Sequence, residues 1–136
     1  MIKVYTASKL TEGPLWRQLR NDWPEIEIVA RWPFLHVSDT GEPGWPSDCP
    51  AHGSIFWRHD HDDVVACDVV LVYGQGDNAL KGALVEAGMG IALGKTVIVV
   101  GSHPSYSTWQ FHPAVKRVAT LSDARSLLRL MASSIP

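Results

Sequence analysis

The sequence predicts a three-layer α/β sandwich built on a five-stranded parallel sheet, and two observations carry that expectation. The runs Val69–Gly74 (VVLVYG) and Thr96–Gly101 (TVIVVG) are apolar throughout, as strands covered by helices on both faces must be, because neither face meets water. Around them, strand-like runs alternate with helical patterns, and such alternation closes through right-handed crossovers into a parallel sheet. The expected strand order is 2-1-3-4-5, the flavodoxin-like or Rossmann-like arrangement.

Taken in order, Ile2–Ala7 reads as the first strand. A helix over Leu15–Trp23 follows Gly13-Pro14, and Glu25–Trp32 reads as the second strand. The segment Pro33–Gly53 carries Pro33, Pro43, Pro46 and Pro50 among turn-forming Gly and Asp, and so reads as a long irregular loop. Loops of that length in compact domains commonly carry function. Its Trp45 and the flanking Trp32 and Trp57 argue that it packs on something. A helix over Ile55–Cys67 leads into the third strand, Val69–Gly74. Another, Asn78–Leu93, joins it to the fourth, Thr96–Gly101. A weaker fifth run, Val115–Thr120, precedes a closing helix over Asp123–Met131 with Ser122 as its expected N-cap. No internal repeat or low-complexity segment divides the chain, so residues 1–136 are expected to form one domain.

Composition narrows the class of partner. The chain has 136 residues, 46% hydrophobic and 19% charged, a globular composition long enough for a real core. Its formal net charge of -2 provides no basic face for duplex nucleic acid or an anionic membrane, which favours small-molecule partners. Cys49 and Cys67 are the two cysteines. Cys67 lies in the apolar stretch VVACDVV and reads as a reduced, buried thiol, so no disulfide framework is expected and a cytosolic location follows. The opening MIKVYTAS has neither the basic start nor the apolar run of a signal peptide, and no segment is long enough for a membrane span.

In a doubly wound sheet, ligands bind beyond the carboxyl ends of the strands, at the switch point between strands one and three. That rule nominates Ala7-Ser8-Lys9, Gly74–Asn78 and Gly101-Ser102-His103. The most informative neighbour is the helix segment Ala79–Leu93 (ALKGALVEAGMGIAL), whose charged residues are Lys81 near its start and Glu86 in its middle. At helical spacing Glu86 shares a face with Gly82, Ala83, Met89, Gly90 and Leu93. A carboxylate among small apolar residues is costly to bury without compensation, and burial raises its pKa. Each glycine costs the helix about 1 kcal/mol against alanine. Glycines in such a helix need a packing reason, such as close approach of a ligand or another backbone.

The stretch from Asp60 to Gly101 resembles the core of the nucleoside 2-deoxyribosyltransferases and the related deoxynucleoside 5'-phosphate N-hydrolases. The matching pieces are Cys67-Asp68-Val69-Val70, Gly82-Ala83-Leu84-Val85-Glu86-Ala87-Gly88 and Gly94-Lys95-Thr96-Val97, and the opening IKVYTAS is similar to the family's first strand and turn. The resemblance implies that Glu86 is the nucleophile that attacks the anomeric carbon of a (deoxy)ribose, with water or a second base resolving the glycosyl-enzyme ester. It implies a supporting catalytic role for Asp60 on the helix before strand three. Asp77 is a candidate for sugar or base contacts, although its spacing to Glu86 exceeds the usual aspartate-to-glutamate gap of the transferases. Gly82, the first residue of the Gly-x-x-x-Glu motif, is a candidate substrate-binding residue. Tyr5 and Ser8 lie where family members contact the sugar or a 5'-phosphate; Tyr5 reads equally well as a core aromatic. Ser102 is a candidate donor to a hydroxyl or phosphate, or a loop serine without that task. Trp32 is placed either to stack on a nucleobase or to anchor the loop. The resemblance also implies a homodimer or larger assembly, with the small-residue helix Gly82–Gly94 as a candidate interface. It implies no cofactor and no metal.

Other patterns carry less. Gly74-Gln75-Gly76-Asp77-Asn78-Ala79 satisfies GxGxxA, but a dinucleotide fold wants that turn after its first strand, not its third. His59 with either Asp62 or Asp63 could offer two ligands from one helical face, with a distant third from His36, His52 or His103; a solvated acidic face bearing one functional aspartate accounts for the same residues. The rival readings are a non-catalytic nucleotide-binding or sensing module on the same fold, and a flavodoxin-like redox or phosphate-binding protein.

Overall fold

The computed structural model describes residues 1–35, 50–74, 80–101 and 107–134. Strands β1 (Ile2–Ala7), β2 (Ile26–Ile28), β3 (Val69–Tyr73), β4 (Thr96–Val100) and β5 (Val115–Val118) form one sheet in the order β2-β1-β3-β4-β5. Every neighbouring pair is parallel. This is the α/β architecture and strand order expected from the sequence. The helices are α1 (Gly13–Asp22), α2 (Trp32–Leu35), α3 (Pro50–Ala66), α4 (Gly82–Ala92) and α5 (Leu121–Ala132), with short 3-10 turns at Leu10–Glu12 and Thr108–Phe111. No described helix is long and apolar enough to cross a membrane.

The apolar runs behave as their composition requires. Val69, Val70, Leu71 and Val72 of β3 and Val97, Ile98 and Val99 of β4 are wholly buried, because helices cover both faces. Residues in register on parallel neighbours share a face, which sorts the layers. Tyr5 pairs with Val70 and Val70 with Val97, and the methyls of Val70 and Val97 lie against Gly90 of α4. That face therefore carries α3 and α4. On the other face Trp16 of α1 meets Tyr73 edge-on at 5.9 Å, and Arg125 of α5 reaches Asp22 at the end of α1.

Gly90 supplies the packing reason that its helix required. A Cβ there would stand 2.7 Å from Val70 Cγ2 and 3.3 Å from Val97 Cγ2, so only glycine lets α4 lie this close to the sheet. The helix ends at Gly94, whose φ of +75° is left-handed. Gly94 N–H donates to the Ile91 carbonyl and Lys95 N–H to the Gly90 carbonyl, which together form a Schellman stop.

Several element boundaries differ from expectation. The second strand is three residues long rather than the run Glu25–Trp32, and Trp32 begins a helix. After Val29 donates to the Val4 carbonyl, the ladder is replaced by side chains: Arg31 N–H donates to Asp63 Oδ2 at 2.9 Å, and the Trp32 indole donates to the Thr6 carbonyl at 2.7 Å. Helix α3 starts at Pro50, inside the segment read as loop, and α2 occupies that segment's beginning; residues 36–49 lie outside the described residues. The closing helix starts at Leu121 and is capped by Thr120, not Ser122: Thr120 Oγ1 accepts from Asp123 N–H at 3.1 Å. A hydroxyl three residues ahead of that N–H can reach it, whereas Ser122 already sits in the first turn.

Candidate active site between the sheet and helices α3 and α4

Helices α3 and α4 both return antiparallel to the strands and lie side by side. Trp57 of α3 rests against Gly82, the first residue of α4, where a Cβ would stand 3.5 Å from the indole ring. One turn beyond this contact stand Asp60 on α3 and Glu86 on α4. Their companions a further turn along, Val64 and Gly90, are buried against the sheet, which turns the two carboxyls inward as well. Tyr5, in register with Val70 beneath Gly90, points into the same layer from β1.

Glu86 is 6% exposed, between the buried Ala83, Ala87 and Gly90. Among the described residues no hydrogen bond or ion pair reaches it. Burial alone pushes its carboxyl well above the usual carboxylate range, because a charged form without a donor or cation loses its hydration and gains nothing in exchange. It stands a full turn past the start of α4, beyond the strong part of the helix dipole.

Asp60 is half-buried, and its carboxyl is raised to about 7. Burial is the largest cause and the nearby Asp63 carboxylate the next, while Arg31 opposes both. The Tyr5 side chain is wholly buried and its hydroxyl has no partner among the described residues. A buried phenol normally finds one. The layer thus holds two carboxyls whose proton affinity is raised and one hydroxyl without a partner among the described residues, a set suited to exchanging protons with a polar ligand.

The other candidates divide. Gly82 lies at the head of the site, against Trp57. Ser8 is turned to the α1 layer, where its hydroxyl accepts from Trp16 Nε1 at 2.8 Å and donates to the Lys9 carbonyl at 2.9 Å, so its one proton is already engaged. Trp32 is 7% exposed and its indole N–H is held by Thr6; it clamps the segment after β2 to β1 and leaves little ring surface open. Asp77 and Ser102 lie outside the described residues, as does most of the GxGxxA turn.

Sequence reasoning overlooked Asp63, Arg31 and Trp57 as parts of this neighbourhood. Asp63 is 7% exposed and bound by Arg31 Nε at 2.9 Å to Oδ1 and 3.2 Å to Oδ2, with a second guanidinium nitrogen 2.9 Å from Oδ1. The available signal was spacing: Asp63 follows Asp60 by three residues and so shares its helical face. Among the described residues no group of three His, Cys, Asp or Glu side chains is placed to hold a metal ion. Comparison with protein-family models and with curated protein sequences finds no match to this chain.

Proposed function

We propose that this chain cleaves or transfers at the N-glycosidic bond of a (deoxy)nucleoside or its 5'-monophosphate, with Glu86 as nucleophile and Asp60 as its acid–base partner. The observation that carries this reading is the placement of Glu86, a carboxyl buried among small residues between α4 and the sheet with no partner among the described residues. The resemblance of its segment to the nucleoside 2-deoxyribosyltransferase-like family supports the same role.

The chemistry follows from what Glu86 lacks. Its charged form is disfavoured by burial with no cation among the described residues beside it, and an oxocarbenium-like sugar supplies a positive charge as the bond to the base lengthens. The carboxylate is therefore better stabilised in the transition state than in the empty site, which is the condition for catalysis. The C1'–N bond breaks, its electron pair leaves with the base, and Asp60 in its protonated form supplies the proton. Glu86, which gives up its own proton to solvent as the sugar's positive charge develops, closes a carboxylate oxygen on C1' to form an ester. Water or an acceptor base then attacks C1', loses its proton to Asp60, and frees Glu86.

A second copy of the chain fits this proposal. Val85 on α4, Leu93 just past its end, and Ile55, Trp57 and Val65 on α3 are large apolar residues left exposed, surface that a homodimer could cover. Sedimentation at micromolar concentration should give twice the mass of one chain; a monomer would remove this part of the proposal.

The deciding experiment incubates the protein with a panel of nucleosides and 5'-monophosphates, with and without a free acceptor base, and separates the products by chromatography. Free base without acceptor identifies a hydrolase; a new nucleoside with acceptor identifies a transferase. Ligand binding without base release from any member of the panel would favour a nucleotide-sensing module instead.

A further inference from the structure

We propose that Asp63 and Arg31 are positioning residues that set the charge carried by Asp60. The proposal rests on the role given to Asp60 above and assigns this pair a regulatory part in it. Both carboxylate oxygens of Asp63 are occupied by Arg31: Oδ2 takes the backbone N–H at 2.9 Å, and the guanidinium spans Oδ1 and Oδ2. Another guanidinium N–H points to the His59 carbonyl at 3.5 Å. Arg31 is therefore drawn to Asp63, while Asp60, one turn earlier on α3, keeps the neighbouring negative charge and, among the described residues, makes no hydrogen bond with a cation. The same clamp fixes the chain just before Trp32, whose indole bonds Thr6 beside Tyr5, so it is anchored to β1 and cannot drift.

Among the described residues, the charged groups acting on Asp60 are Asp63 on its own helix and Arg31 from the segment after β2; the neighbouring helix α4 carries Glu86 and β1 carries Tyr5. Asp63 and Arg31 act on it with opposite signs. Removing the Asp63 charge leaves the Arg31 cation free to act on Asp60, so Asp60 should then release its proton at lower pH.

The test follows the carboxyl carbon signals of ¹³C-labelled aspartate through pH in the wild type and in Asp63→Asn, alongside kcat/KM against pH for base release. Asn retains an oxygen for the Arg31 N–H, and the Asp60 midpoint should fall by about one pH unit. Arg31→Lys, which keeps the cation but loses the fork, should leave the midpoint near the wild-type value. A clamp with only a structural role would lower thermal stability in these variants and move no midpoint; an unmoved midpoint in folded Asp63→Asn overturns the proposal. Should that variant not fold, the wild type still decides: the Arg31 Nε signal should shift at the same pH as the Asp60 carboxyl, and a signal indifferent to it overturns the proposal. These midpoints are read without any substrate. A moved midpoint in a protein that cleaves no nucleoside therefore supports the pair's effect on Asp60 while refuting the glycosidic function.

Discussion

Glu25 and Glu86 carry the same carboxyl and stand in opposite circumstances. Glu25, near the surface before β2, accepts from Arg125 Nε at 2.6 Å and from Arg129 Nε at 3.0 Å, and a second Arg125 nitrogen reaches its other oxygen at 3.2 Å. The Arg125 hydrogen bond is the chief reason its carboxyl is lowered to about 2. Glu86, buried on the opposite face of the sheet, has no partner among the described residues and is shifted upward by burial. One carboxylate is fully satisfied and ties α5 to the end of α1. The other has no such partner among the described residues. If Glu86 has the proposed role, the difference separates a carboxylate paired within the chain from one whose pairing a ligand would complete.

The largest way to sharpen this contrast is to remove the unsatisfied acid. Glu86→Gln should lower base release at least about a thousandfold, while nucleotide binding, followed by calorimetry, persists and thermal stability holds or rises. Next, Asp60→Asn should reduce kcat/KM by about 10²–10⁴-fold, the usual worth of a positioned acid or base, and should abolish the limb of the rate profile centred near pH 7. A smaller effect is expected from the contact that brings Glu86 to the sheet. Gly90→Ala forces a methyl onto Val70 and should cost about 1–3 kcal/mol in denaturant unfolding, with activity falling as α4 is displaced.

Stability against pH tests both regions together. Asp60 is raised from 3.8 to about 7, so its contribution is present in full below 3.8 and is lost as the pH rises through about 7. Glu86 acts in the same direction. Glu25 is lowered from 4.5 to about 2, so its contribution is present above 4.5 and is lost as the pH falls through about 2. The melting temperature should therefore peak about pH 4, between the range where Glu25 gains and the range where Asp60 loses, and Asp60→Asn should flatten its decline toward pH 8. The smallest effect belongs to Glu25→Gln. Water screens this ion cluster, so the loss should be about 1 kcal/mol or less, with base release unchanged.

Much of this was legible along the chain. The unbroken apolar runs of β3 and β4 announced strands covered on both faces, and their alternation with helices led to the parallel order that the sheet adopts. Glu86 stood out because its helix surrounds it with small residues, and Gly90 bore out the need for a packing reason. What stayed hidden depended on partners distant in sequence. Trp32 could not be taken from β2 until Thr6 and Asp63 were seen to hold its neighbourhood, and Ser8 could not be removed from the carboxyls' layer until Trp16 was found on its hydroxyl. The N-cap moved from Ser122 to Thr120 for a local reason, the reach of one hydroxyl.

The order of residues alone decided which segments must be strands and which helix must lie close to the sheet, because hydrophobic periodicity and the lack of a Cβ act within a few residues. Tertiary structure alone decided how each acid is charged. Desolvation, the Arg31 clamp on Asp63 and the guanidinium pair on Glu25 all arise between residues tens of positions apart, and a carboxyl's proton affinity depends on what surrounds it in space.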